Sequence, residues 1–254
     1  MNPYAWALDA ETLVLVPLLA AGYLVALRVY PAPRWRIACY LAGLALIVAV
    51  FLTPLETLAL HYLLLAHLLQ NVVVAEWAPA LCLLGLPPTL AAAIARVGIV
   101  RAFTHPLVAL PLWLATYFLW HLPWAYDAAL RHPNSILHLE HGCYFAAGLA
   151  LWWPVLQGEP GQLSSGAKAL YLFSAFAFAS PLGLLLALLP NAIYPFYEDA
   201  PRLWGLGPLT DQQIAGVTMA VEQAIVFFAA FSFYLLRFFQ EEEGGPESWP
   251  AKSG

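Results

Sequence analysis

Four of the seven histidines in this 254-residue chain fall in one stretch, WHLPWAYDAALRHPNSILHLEHGCYF, as His121, His132, His138 and His141. His138 and His141 are three apart, so a helix projects both imidazoles from one face, a spacing at which two rings can share one metal ion. His67 and Asn71 form an i, i+4 pair in another apolar segment and could complete such a site or relay toward it. Asp211 opens the last apolar segment, and Glu222 follows eleven residues later on the same face, close to three turns on. Imidazole suits copper, zinc and iron alike, so ligand type alone does not choose the metal. A lone histidine at a membrane surface more often partners headgroups or loop carbonyls, which is the part expected of His61, His105 and His132. His61 is also a candidate for the relay.

The segments that must position these residues are greasy. The chain is 62% hydrophobic and 10% charged with a mean hydropathy of +0.74, whereas a soluble domain carries about 25% charged residues. It reads as an all-α integral membrane protein, because its apolar runs are continuous and do not alternate with the period of a barrel strand. Segments near 11–30, 36–53, 58–77, 106–124, 136–156, 166–189 and 211–239 give seven transmembrane helices in one domain, 1–240, each close to the roughly 20 residues a span needs. Residues 78–95 are cut by Pro79, Pro87 and Pro88 into pieces too short to cross, and read as a kinked extension of the third span followed by an interfacial stretch. The acidic piece 241–254 reads as a disordered cytoplasmic tail.

Charge orients the bundle. The first span is preceded by Asp9 and Glu11 and followed by Arg28, Arg34 and Arg36, the reverse of a cleavable signal, so it reads as retained with its amino end outside. Seven spans then put Arg28, Arg34, Arg36, Arg96, Arg101, Lys168, Arg237 and Lys252 on the cytoplasmic side with the carboxyl end, against Arg131 and Arg202 outside, a strong positive-inside bias. An eighth span would erase that bias. In this topology His61 opens the third span from outside, His121 closes the fourth, His138 and His141 open the fifth, and Asp211 opens the seventh, all at comparable depth. His67 lies about ten residues further in, roughly 15 Å. Ionisable groups inside a span are rare and usually functional, and a carboxylate such as Glu222 near the bilayer centre costs roughly 2.5–3.5 kcal/mol unless it is protonated or paired. Glu76, toward the inner end of the third span, is expected to snorkel to water. Cys39, Cys82 and Cys143 have no CxxC spacing and read as free thiols in apolar sequence.

Four pieces, HLLQNVVVAEWAPALCLLGLP from His67, WHLPWAYDAAL from Trp120, LHLEHGCYFAAGLALWWPVL from Leu137 and LTDQQIAGVTM from Leu209, resemble the CtaG family of cytochrome c oxidase assembly factors, with a likeness running from about residue 37 to 239. Asn71 and Ala220 stand where that family usually has histidine and tryptophan. The resemblance implies a non-enzymatic, multi-pass protein of the bacterial plasma membrane that inserts copper into the oxidase. It implies an outer-side metal site carried by His67, His121, His138, His141 and Asp211, and an oxidase subunit as partner within the lipid bilayer. Two other classes stay open. One is a noncovalent haem-binding redox protein using His67 or His121 as an axial ligand; the other is an ion or copper transporter with Glu222, Gln223, Glu76 and His67 along its path. No GxSxG, Walker or HExxH signature supports hydrolytic or nucleotide-driven chemistry, and nothing points to nucleic acid.

Overall fold

Proline decides where many of these helices begin, because its missing N–H and fixed φ suit the first helical position. The computed structural model describes residues 2–158 and 163–243; the expected tail beyond 243 lies outside them. Its helices are α1 (Ala10–Ala26), α2 (Arg34–Phe51), α3 (Pro54–His61), α4 (Leu64–Gly85), α5 (Pro88–Ala95), α6 (Gly98–Phe103), α7 (Pro106–Trp120), α8 (Pro123–Arg131), α9 (His138–Leu156), α10 (Ser165–Leu188), α11 (Pro195–Asp199) and α12 (Pro208–Glu243). Among the described residues there is no strand.

Four helices, α2, α4, α10 and α12, are long and apolar enough to cross a bilayer, and the pair α7–α8, bent by 72°, makes a fifth if counted as one span. The shorter apolar α1 and the histidine-bearing α9 cover the other two segments that the sequence reads as spans. Large apolar side chains such as Leu107, Leu170, Phe178 and Leu188 face outward, as expected of a surface solvated by lipid.

The segment boundaries depart from expectation at two places, the start of the third span and the end of the fourth. The third span does not start at 58: the chain breaks at Tyr62–Leu63, and α4 begins afresh at Leu64. His67 therefore sits in the first turn of α4 and not ten residues into a continuous helix. Past 77 the span runs on to Gly85, the extension that the sequence leads one to expect. Pro79 is carried inside α4 because a π turn over Val73–Trp77 precedes it, in which the Ala78 N–H reaches back five residues to the Val73 carbonyl. The widened turn absorbs the hydrogen bond that proline cannot make. The fourth span stops at Trp120, since Pro123 disfavours helical geometry at Leu122 and starts α8 in a new direction.

α4 is the most enclosed of the spans, packed by α2, α9 and α12, while α10 and α12 pair along their lengths. That last contact is close at two glycines: a Cβ on Gly183 would meet the Gly216 carbonyl at 3.0 Å, and one on Gly216 the Gly183 carbonyl at 2.6 Å. Small residues at such crossings are how membrane helices gain packing without a hydrophobic drive. Basic residues segregate to the two ends. Arg36 Nη1 donates to the Leu84 and Leu86 carbonyls at 2.9 and 2.8 Å, and Lys168 lies over the Tyr234 ring near Arg237, all at the end where α4 finishes. Arg131 and Arg202 are at the opposite end, where α8 and α11 finish. The three cysteines are free thiols.

Glu56, in the short α3 between spans, is buried and accepts from Gln70 Nε2 at 2.6 Å. Burial pushes its carboxyl up to about 7, with the Gln70 amide working in the opposite direction. An acid that binds its proton more tightly when folded stabilises the protein at low pH. That contribution fades as pH rises from about 4.5 through about 7, with roughly 3 kcal/mol at stake. Glu56→Gln keeps the shape and removes the titration, so its melting temperature should change less than wild type between about pH 5 and about pH 8, measured by thermal unfolding in detergent. Equal pH dependence in both proteins would refute the assignment.

Candidate functional site

At the end of the bundle where α4, α9 and α12 begin and α7 finishes, the apolar packing gives way to a buried polar cluster. α4 supplies His67 and Asn71, which one helical turn of separation places on a common face. That face meets Glu140 of α9: Asn71 Nδ2 donates to Glu140 Oε1 at 3.1 Å, and His67 Nε2 lies 4.0 Å from the same oxygen. α7 supplies His121 at its C-terminus. The bend into α8 returns Tyr126 between the two imidazoles, with ring centroids 4.9 Å from His67 and 6.1 Å from His121. His67, Glu140 and Tyr126 are wholly buried and His121 nearly so.

Hydrogen-bond partners fix the tautomers of both rings. His121 Nδ1 lies 2.7 Å from the Tyr117 carbonyl, which can only accept, so Nδ1 carries the hydrogen; Tyr144 Oη, at 3.2 Å, is a second neighbour of that nitrogen. Tyr197 Oη donates to the Ala59 carbonyl at 2.6 Å and sits 3.1 Å from His67 Nδ1. With its own hydrogen committed, that hydroxyl accepts, and His67 Nδ1 also carries the hydrogen. Each ring is thereby left with a bare lone pair on Nε2, the form in which imidazole ligates metals while its other nitrogen is held by the protein. Among the described residues neither Nε2 has a hydrogen-bond partner, and neither do Glu140 Oε2, Asn71 Oδ1 or His141 Nε2. Five polar atoms left unpaired in one buried cluster call for an explanation, since buried polar groups are ordinarily hydrogen-bonded.

The five residues expected to form one ligand set are distributed unequally. His67, His121 and His141 are drawn together: the rings of His67 and His141 are 6.1 Å apart, centroid to centroid. His138 is not part of the cluster. Its Nδ1 pairs with Glu11 Oε2 at 3.0 Å and its Nε2 with Asp9 Oδ1 at 3.6 Å, fastening α9 to the start of α1 around a cavity of about 130 Å³ that His141 also lines. Asp211 is also placed apart. Its two oxygens accept from Leu64 N at 2.7 Å and Leu65 N at 3.1 Å, capping α4 where Leu63 offers no side-chain cap. Among the described residues no three His, Cys, Asp or Glu side chains converge on a single point as metal ligands do.

The remaining candidates are placed as follows. Asn71 orients Glu140, His61 is exposed beside Tyr62, His132 is exposed, and His105 caps α7 by accepting from Leu107 N. Glu222 accepts from the Trp77 indole N–H. Glu76 does not snorkel: it is fully buried and accepts from Gln223 Nε2. Sequence reasoning passes over Glu140, Tyr126 and Tyr197. Glu140 has a signal that could find it, since it shares the spacing of Leu137, Tyr144, Ala147 and Leu151, the buried stripe of α9, where an acid is out of place.

Helices long and apolar enough to cross a bilayer, closing on an imidazole and carboxyl cluster buried at one end, mark the chain as a helical protein of the membrane type. The chain belongs to the cytochrome c oxidase caa3 assembly factor family, Caa3_CtaG, whose model matches residues 18–241. No curated protein and no solved structure matches it.

Proposed function

We propose that this chain, as a membrane-embedded oxidase assembly factor, holds copper as cargo at the buried cluster and passes it to an oxidase subunit within the bilayer. The observation that carries the reading is the pair of bare Nε2 atoms on His67 and His121, each fixed by the hydrogen bond that its Nδ1 donates, beside the unpaired Glu140 carboxylate oxygen. Two imidazoles and a carboxylate suit copper by donor type, and zinc nearly as well; family membership favours copper. Since no three of these donors converge, the reading requires them to close on the ion as it arrives, with His141 supplying the approach from the α1 cavity. Transfer of this kind needs no catalysis. The cluster end faces away from the cytoplasm of a bacterial plasma membrane in this reading, because Arg131 and Arg202 are its basic residues while Arg36, Lys168 and Arg237 gather at the other end.

Elemental analysis of the detergent-purified full chain tests it. Wild type should carry copper, and His67→Ala or His121→Ala should lower the copper content at least tenfold, the effect expected for loss of a ligand. His138→Ala should retain it, since His138 ties α9 to α1. Equal copper in wild type and both ligand variants would overturn the assignment.

A further inference from the structure

Beyond the imidazole cluster, α4 and α12 bring two acids together inside the bundle. Glu76 is wholly buried and Glu222 largely so, and the two side chains interact directly. Glu76 Oε1 accepts from Gln223 Nε2 at 3.2 Å, the same amide donates to Tyr117 Oη at 2.8 Å, and the Trp77 indole N–H donates to Glu222 Oε1. The groups facing the two acids are thus Trp77 of α4, Gln223 of α12 and Tyr117 of α7, and none of them is cationic.

Counting donors and acceptors shows what is missing. The amide of Gln223 is committed to Glu76 and Tyr117, and the one hydrogen of Trp77 is committed to Glu222. Among the described residues Glu76 Oε2, Glu222 Oε2 and the carbonyl oxygen of the fully buried Gln223 are left with no hydrogen-bond donor. Three acceptors then share, at most, the hydroxyl hydrogen of Tyr117. Two adjacent carboxylates away from water do not both stay ionised. A hard metal cation takes about six oxygens, twice what this site leaves free, whereas one proton on one carboxyl satisfies its own oxygen and one neighbour.

We propose that Glu76 and Glu222 form a proton-binding site in the interior of the bundle, a carboxyl pair that holds one proton between them, with Gln223, Trp77 and Tyr117 fixing its geometry. Binding makes one O–H bond, using a proton from water, and that O–H donates to the facing carboxylate. The site is separate from the cargo cluster and does not depend on copper being the cargo.

Infrared difference spectroscopy of the detergent-purified full chain, titrated with acid and alkali, reads the pair when every protein compared, wild type included, also carries Glu56→Gln, which removes the band of the raised Glu56 carboxyl. Wild type should show a protonated-carboxyl C=O band that persists at neutral pH, where ordinary carboxyls are ionised. Glu222→Gln should abolish that component, because the glutamine N–H replaces the hydrogen that the proton supplied, and Glu76→Gln should do the same. Each glutamine variant should melt no lower than wild type, since it fills an unmet hydrogen bond, whereas Glu222→Ala should melt lower. The assignment is overturned by absence of the band in wild type, or by its survival unchanged in a folded glutamine variant. Suppression of the band by sodium or potassium at fixed pH would overturn it in favour of a cation site. If one glutamine variant fails to fold, the other reads the same band, since the pair shares a single proton.

Discussion

Replacing Asp211 by alanine should lower the free energy of unfolding by about 3–5 kcal/mol, the value of two hydrogen bonds to a charged acceptor at a buried site. α4 starts inside the protein, and the N–H groups of its first turn have no carbonyl partners in their own helix. Leu63, which precedes it, has no side-chain acceptor. Asp211 reaches across from α12 and takes both Leu64 N and Leu65 N, and its negative charge also sits at the positive end of the α4 dipole. Alanine leaves two N–H groups unpaired. Asp211→Asn, which keeps one carbonyl oxygen, should recover roughly half of the loss. Chemical or thermal unfolding in detergent measures the series. The same variants separate a cap from a metal ligand: Asp211→Asn should keep its copper per folded molecule, while His67→Ala loses it. Loss of metal in Asp211→Asn at wild-type stability would make Asp211 a ligand after all.

That example shows which part of the site is legible in the sequence. Asp211 is expected among the helix ends, because counting residues along apolar runs places helix ends in layers, and it lies against the first residues of α4. Its role is not predicted, because the need for a cap arises from a break at Tyr62–Leu63 that has neither proline nor glycine at the break itself to mark it. The His138 and His141 pair is a similar case. Their spacing does put both on one face of α9, and both line the cavity beside α1; what spacing cannot say is that this face also meets Asp9 and Glu11, which claim His138. Glu140, one position over, faces α4 instead. Tyr126 enters the cluster only because Pro123 turns the chain by 72°, and Tyr197 arrives from a short helix far along the sequence. The long apolar helices, by contrast, follow from composition and run length, since a lipid-facing segment must satisfy its backbone internally. The extension of the third span past Pro79 is likewise read from the sequence; what the sequence does not show is the π turn before it, which lets a proline that would end a soluble helix sit inside this one.

The same π turn makes Gly148 a point of exceptional sensitivity. Pro79 has no N–H to offer the carbonyl four residues earlier, that of Ala75, and α9 comes so close at this level that a Cβ on Gly148 would collide with the Ala75 carbonyl and approach Pro79 Cγ to 2.7 Å. The first obstacle is backbone and cannot rotate away. Gly148→Val should therefore cost about 3 kcal/mol or more, at or above the upper end for overpacking, and Gly148→Ala a smaller share of it. Gly142, six residues earlier on the same helix, has nothing among the described residues within 4 Å of its would-be Cβ; Gly142→Ala should be neutral or slightly stabilising through helix propensity. Melting temperatures of the three variants in one detergent give the comparison. Because α4 carries His67 and Asn71 while α9 carries Glu140, forcing the two helices apart at Gly148 also loosens the seam on which the cluster is built. Copper content should fall in Gly148→Val even though no donor atom has been removed, and it should hold in Gly142→Ala. A Gly148→Val protein as stable as wild type would mean that α4 and α9 do not meet at the Ala75 carbonyl, and the placement of Glu140 against His67 would fall with that contact.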